Sequence, residues 1–307
     1  MLSSGRLLSK VKYIVQMGSA SESSSTSCVN LDYINRLSQL DEQSPNVFRA
    51  NFLGKGTSIT KNAYGGLLFA QSISAAEKTV EEQFIPHAIH SFFILNVSPE
   101  RPVDYKVQKL RDGRSFCTRA IQAEQDGNIV YTSQISLCAK EPSAIQHQIS
   151  MPRAASPETL KPYSETAREF LQQHKEGTLD LNEFTVWEMN RHIKDEKDCV
   201  FEFRPTEPRK YIFLAAYVTD ATLAGVASRP HYSHGYRPSM VVSLDHSVHF
   251  HDTDFRADEW MLYENWSTMA REGRAFSEGR LWTRDGRLIL TASQESLNRT
   301  RGQASSL

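Results

Sequence analysis

Arg111-Asp112-Gly113-Arg114-Ser115-Phe116 is matched 160 residues later by Arg271-Glu272-Gly273-Arg274-Ala275-Phe276. The same offset carries Ser133-Gln134 onto Ser293-Gln294 and Ser136-Leu137 onto Ser296-Leu297. Between the matched stretches lie Asp126-Gly127 and Asp285-Gly286, 159 residues apart. Each is a hairpin-turn signal between runs of strand-forming residues. Upstream, His90-Ser91 pairs with His246-Ser247 at an offset of 156. A period this long is far above that of a solenoid repeat. It marks a domain-sized unit duplicated in tandem.

Both copies read in the same order, a long apolar helix and then a set of strands. The first helix spans about 65–80, with Leu67, Leu68, Ala70, Ile73 and Ala76 in its body; the second spans about 211–228. The second run, with Ile212, Phe213, Leu214, Ala215, Ala216, Leu223 and Ala224, is apolar almost all round. A helix without a polar face is buried on most sides. Strands are expected at 89–95, 104–111, 115–125 and 128–138, and again at 240–249, 259–267, 274–283 and 287–297. One helix wrapped by an antiparallel sheet, twice, is an α+β tandem double hot-dog fold. The expected division is an N-terminal tail over 1–44, a first repeat over 45–140 and a linker over 141–200, followed by a second repeat over 201–300 and a C-terminal tail over 301–307. Pro142, Pro152, Pro157 and Pro162 break the early linker. A short helix is expected near 164–175, and Lys194-Asp195-Glu196-Lys197-Asp198 reads as a charged loop.

Bulk properties narrow the function. The 307 residues are enough for a full core in each repeat, and the net charge of −1 gives no electrostatic hold on nucleic acid or a membrane surface. No apolar run approaches the roughly 20 residues of a transmembrane helix. Cys28, Cys117, Cys138 and Cys199 form no C-x-x-C pair and read as unpaired thiols of a reducing compartment. The first 20 residues carry Arg6, Lys10, Lys12 and several serines but no acid. Leu7, Leu8, Val11, Ile14 and Val15 fit one helical face, as in a mitochondrial presequence. The C-terminal Ser305-Ser306-Leu307 is a degraded form of the Ser-Lys-Leu peroxisomal signal. Both ends also read as plain tails.

Asp220 is the most informative residue, a carboxylate in a run of 211–227 otherwise free of charge. Burying it requires a charge partner or hydrogen bonds. It could equally cap a helix break or bond Thr219 and Thr222. Gln294 lies on the last strand and faces inward if Leu290 and Ala292 do, by strand alternation. Ser243 sits in Val241-Val242-Ser243-Leu244-Asp245-His246. Either is also readable as an ordinary strand residue. Gly65-Gly66 opens the first helix, where free N–H groups can hold an anion or oxyanion, or where the chain simply turns tightly. His246, His249 and His251 lack a third ligand at metal spacing, and there is no H-E-x-x-H, so no metal is expected. No P-loop and no G-x-S-x-G elbow occurs.

Taken together, these residues resemble the type II acyl-CoA thioesterases, the family of the bacterial medium- and long-chain enzyme and of the animal peroxisomal one. The resemblance rests on Phe48-Arg49, Tyr64-Gly65-Gly66, His90-Ser91-Phe92-Phe93 and 110–116 in the first half, and on His147-Gln148 and Met151-Pro152 in the linker. In the second half it rests on 216–220, Leu244-Asp245-His246-Ser247 and Ser293-Gln294-Glu295. It covers about residues 45–300. The stretch 187–209 is shorter than usual, and His249 stands where an apolar residue is common.

The resemblance implies a catalytic set of Asp220, Ser243 and Gln294, acting on water, with Gly65, Gly66 and His90 as substrate-binding residues. Gln134 is expected to occupy the place of Gln294 in the first copy. Tyr64 falls where an aspartate would have to be, so one active centre per chain is expected. The implied activity is hydrolysis of medium- to long-chain fatty acyl-CoA in fatty acid metabolism, without cofactor. No nucleic acid or membrane partner is expected, and the chain is expected to form a homo-oligomer, a dimer of double hot-dog chains. The peroxisome matrix is the expected location, with mitochondrion and cytosol as alternatives. A hot-dog hydratase is disfavoured, since no aspartate is followed by a histidine five positions on. A non-catalytic acyl-CoA-binding protein is the rival from another class.

Overall fold

A helix that is apolar all round needs cover on every side, and each copy wraps one in sheet. The computed structural model describes residues 11–16, 31–55, 61–161, 163–195, 208–232, 236–257 and 259–300. In chain order the elements are β1 (Val11–Gln16), α1 (Leu31–Ser38), β2 (Asp41–Ser44), β3 (Val47–Ala50), α2 (Gly65–Glu77), β4 (Phe84–Phe93), β5 (Val103–Asp112), β6 (Phe116–Gln125) and β7 (Asn128–Ala139). The helices α3 (Tyr163–Lys175), α4 (Glu183–Asp195), α5 (Pro208–Val226) and α6 (Arg229–Tyr232) follow. The chain closes with β8 (Pro238–Ser243), β9 (Asp245–Phe250), β10 (Trp260–Arg271), β11 (Arg274–Thr283) and β12 (Leu288–Thr300).

The strands form one sheet in the order β1-β10-β11-β12-β9-β4-β7-β6-β5-β3-β2, with β8 also on β12. The repeats meet where β4 and β9 pair antiparallel, from Ala88 opposite His249 to Phe92 opposite Asp245. Within each repeat the hairpins turn where the sequence signals them: Asp126 and Gly127 both have positive φ, 52° and 77°. That is the geometry of a tight hairpin matched to strand twist. Inside the sheet, α2 is buried at every position from Gly66 to Ile73, and α5 from Ile212 to Asp220. The two helices touch so closely that a Cβ at Gly66 would stand 2.5 Å from the carbonyl oxygen of Tyr217.

The structure departs from the sequence reading at the ends and in the linker. The 1–44 segment holds regular elements. Val11–Gln16 is a strand on the outer side of β10 and not one face of a helix. β-Branched and aromatic side chains suit a strand, and the edge of β10 offers backbone partners. In the first repeat the equivalent place beside β5 belongs to β3. Helix α1 is fastened to α2 by Gln71, whose Nε2 donates to the Leu37 carbonyl while its Oε1 accepts from Tyr105, both at 2.7 Å. In the linker, α3 falls where a helix was expected and α4 was not foreseen. They share a small core of Ala167, Leu171 and Met189. Lys194 and Asp195 end α4 instead of forming a loop. Leu7, Leu8, residues 196–198 and Ser305-Ser306-Leu307 lie outside the described residues.

Candidate active site

Asp220 lies two turns before the end of α5, with only 8% of its surface exposed. Its burial is made tolerable by two donors on one oxygen. Ser243 Oγ donates to Oδ1 at 3.1 Å, and Gln294 Nε2 donates to the same oxygen. Gln294 Nε2 also donates to Ser243 Oγ at 2.9 Å, which closes a three-membered polar cluster. A carboxylate can only accept, so the amide nitrogen of Gln294 must face it. Hydrogen bonds to charge contribute about 1.5–3 kcal/mol each, enough to offset much of the burial penalty. The Gln294 carbonyl oxygen, Oε1, is buried and has no hydrogen-bond partner among the described residues.

Each side chain reaches this point for a local reason. On β12, Leu290, Ala292, Gln294 and Ser296 are all buried, so alternation aims Gln294 inward as read from the sequence. Ser243 is different. His246 is fully buried on the inner face, and a regular strand would send Ser243, three positions away, to the outer face. The pairing shows why it does not. Ser243 stands opposite Ser296 and Ser247 opposite Ser293, so β8–β9 has one more residue than β12 across that interval. The extra residue is Leu244, a β-bulge, and bulges re-aim side chains beside functional sites.

The first repeat supplies the facing wall. A Cβ at Gly65 would stand 3.0 Å from Asp220 Oδ2 and 3.0 Å from the Phe93 ring. Gly65 opens α2, and the N–H groups of Gly65 and Gly66, which precede the first bonds of the helix from Leu67 and Leu68 to the Tyr64 carbonyl, lie beside the carboxylate. The backbone of α5 around Asp220 is held from several sides. Tyr64 OH donates to the Tyr217 carbonyl and Tyr263 OH to the Thr219 carbonyl, each at 2.8 Å. Thr219 Oγ1 donates to the Ala216 carbonyl at 2.7 Å, so His246 Nε2 is the donor in its 2.8 Å bond to that hydroxyl. Burial holds His246 neutral, with its pKa pushed down to about 4.

Gly65 and Gly66 therefore lie at or beside the cluster, and His90 lies apart from it. The His90 ring is exposed on the outer face, bonded to Ser247 Oγ at 3.1 Å and edge-on to His249. Gln134 is also on the outer face, so it is not the counterpart of the buried Gln294. One residue of register difference exchanges the faces of a strand, and the 160-residue sequence match hides that difference. His246 points inward while His249 and His251 are exposed, and among the described residues no group of His, Cys, Asp or Glu is placed to hold a metal ion. Sequence reasoning missed Tyr64, Phe93, His246 and Tyr263. Signals existed for three of them: His246 sits in the duplicated His-Ser pair, Tyr64 precedes Gly65-Gly66, and Phe93 ends His90-Ser91-Phe92-Phe93.

Comparison with known proteins shows which family shares this sequence and fold. The family described as acyl-CoA thioesterase N-terminal domain matches residues 54–138, and the acyl-CoA thioesterase C-terminal domain matches 154–297. Mouse acyl-coenzyme A thioesterase 8 is 34% identical over 267 residues, covering 80% of this chain and 83% of that protein. The chain belongs to the type II acyl-CoA thioesterase family. Membership makes it a thioester hydrolase. The crystal structure of the acyl-CoA thioesterase II TesB2 from Mycobacterium marinum superposes with a TM-score of 0.68 at 27% identity, covering 88% of this chain and 99% of that one. A hot-dog-fold protein from Alicyclobacillus acidocaldarius, 15% identical, shares the fold at a TM-score of 0.63 over 88% of this chain and 99% of its own. The peroxisomal acyl-coenzyme A thioester hydrolase 1 of Saccharomyces cerevisiae is 24% identical over 340 residues, covering 88% of this chain and 95% of that protein.

Proposed function

We propose that this thioesterase hydrolyses medium- to long-chain fatty acyl-CoA to free fatty acid and CoA, with Asp220, Ser243 and Gln294 as its catalytic residues. The observation that carries the reading is the convergence of Ser243 and Gln294 on the buried Asp220 carboxylate. A water seated there donates one proton to Asp220 as its oxygen attacks the thioester carbonyl carbon. The unpartnered Gln294 Oε1 is an acceptor for the other proton of that water. The carbonyl oxygen becomes an oxyanion, and first-turn N–H groups of α2 at Gly65-Gly66 are preorganised donors for it. Collapse breaks the C–S bond, and the CoA sulfur leaves with the proton taken up by Asp220. Only the second repeat has the aspartate, so each chain carries one centre.

An acyl-CoA substrate and a peroxisomal location are supported by the yeast relative, whose name carries both the acyl-coenzyme A thioester hydrolase and the peroxisome. We place the chain in a homo-oligomer of double hot-dog chains on the family resemblance. Among the described residues no helix is long and apolar enough to cross a membrane. The test is release of free thiol from an acetyl- to palmitoyl-CoA series by wild type and Asp220→Asn. The variant is expected to lose at least about a hundredfold in kcat, the scale of a lost general base, with its circular dichroism unchanged. Turnover near wild type in the folded variant overturns the mechanism. Binding of palmitoyl-CoA without turnover by the wild type would instead support an acyl-CoA-binding protein.

A further inference from the structure

Leu244, the bulge residue between β8 and β9, splits its backbone bonds between two neighbours. Its N–H donates to the Glu295 carbonyl on β12 at 2.9 Å, but its C=O accepts from Phe93 N on β4 at 3.0 Å. In a regular antiparallel ladder the two residues of a hydrogen-bonded pair exchange both bonds. Here Glu295 gives a carbonyl to Leu244 and receives none, so its own N–H is left over at the centre of the sheet. An unpaired buried backbone donor is expensive. Asp245, the next residue, fills the gap with its side chain, and Oδ1 accepts from Glu295 N at 2.5 Å. Asp245 is half-buried and stands opposite Phe92 of β4.

The consequence reaches two members of the cluster. The bulge turns Ser243 inward, and Glu295 is the residue next to Gln294. We infer that Asp245 is a positioning residue: its carboxylate replaces the carbonyl that the Leu244 bulge withholds from Glu295, and so locks Ser243 and Gln294 onto Asp220. This rests on the reading of Asp220, Ser243 and Gln294 as catalytic. Asp245 itself touches none of the three in the hydrogen bonds of the cluster. Without its oxygen, β12 recovers a partner for Glu295 N only by sliding or by straightening the bulge. Either movement displaces Ser243 and Gln294 together, and misplacement of about an ångström far from the reacting bond can lower turnover about a hundredfold.

The experiment uses the full chain with palmitoyl-CoA as probe and compares Asp245→Ala, Asp245→Asn, Asp220→Asn and the double variant Asp245→Ala with Asp220→Asn. Asp245→Ala is expected to lower kcat between about tenfold and a hundredfold while KM stays within about threefold, because substrate contacts are untouched. Asp245→Asn keeps an acceptor oxygen and is expected to recover most of that kcat. In the double variant, loss of Asp245 adds little to the Asp220→Asn defect, since groups acting as one unit are not additive. If Asp245→Ala does not fold, Asp245→Ser, whose hydroxyl is too short to reach the amide, carries the same expectation. Wild-type kcat in a folded Asp245→Ala or Asp245→Ser overturns the inference, as does an Asp245→Asn as impaired as Asp245→Ala. Wild-type turnover by Asp220→Asn overturns the reading of the centre instead, and so the two failures are told apart.

Discussion

Gly65→Ala is the sharpest test of how the two repeats meet. Gly65 is not among the residues with positive φ, so its backbone accepts a side chain. The obstacle is ahead of it, since the new Cβ would stand 3.0 Å from Asp220 Oδ2 and 3.0 Å from Phe93. Ordinary non-bonded contact begins near about 3.5 Å, so the carboxylate and the ring must each retreat by about half an ångström. Catalytic groups have to be held within about 0.5 Å of productive geometry, and a displacement of about 1 Å is worth about a hundredfold. Half of that shift predicts a fall of about tenfold in kcat, about 1.4 kcal/mol of transition-state stabilisation. Stability should move little, because alanine is better than glycine in a helix by up to about 1 kcal/mol and the local crowding costs a similar amount. The assay is steady-state thiol release from palmitoyl-CoA, beside a thermal melt. An unchanged kcat in a folded variant refutes the idea that the start of α2 abuts the reacting centre.

Gly66→Ala should behave in the opposite way, since its Cβ meets the backbone oxygen of Tyr217 at 2.5 Å and a backbone cannot swing aside. A loss of about 1–3 kcal/mol in stability is expected, read as a lowered urea midpoint. Gln294→Ala should lower kcat by about tenfold or more, whereas Gln134→Ala, on the exposed outer face, should change it by less than about twofold; equal losses would mean that the two copies share catalysis. Stability should also fall in acid. His246 titrates at about 4 when folded against 6.5 ordinarily, so from about pH 6.5 down to about 4 the unfolded chain binds a proton that the folded one refuses. Its contribution is complete above that window and is lost as the pH falls through it. Partial desolvation, with a neighbouring histidine, shifts His87, His249 and His251 in the same direction. The check is a urea melt at pH 7 and pH 5, where His246→Gln should lose less stability than wild type; an equal decline would show that His246 carries none of the effect.

The sequence by itself determined the duplication, the two buried helices and the inward aim of Gln294. These are local properties. A hairpin motif can be matched to its copy by eye, an apolar run such as 211–218 has no face to show water, and a regular strand such as β12 alternates. Where the sequence reading failed, the deciding partner was distant in the chain. The 160-residue offset paired Gln134 with Gln294, yet one is exposed and the other buried, because sequence similarity does not register a one-residue slip while a sheet turns it into a change of face. Strict alternation would have sent Ser243 away from His246. The Leu244 bulge that turns it inward exists only through the pairing of β8 and β9 with β12 and β4. Val11–Gln16 reads as one face of a helix until the edge of β10 gives it backbone partners. The meeting of Gly65 with Asp220, residues of different repeats, is likewise decided by how α2 packs on α5, where the absence of a Cβ at the neighbouring Gly66 lets two backbones approach more closely than any pattern along the chain could reveal.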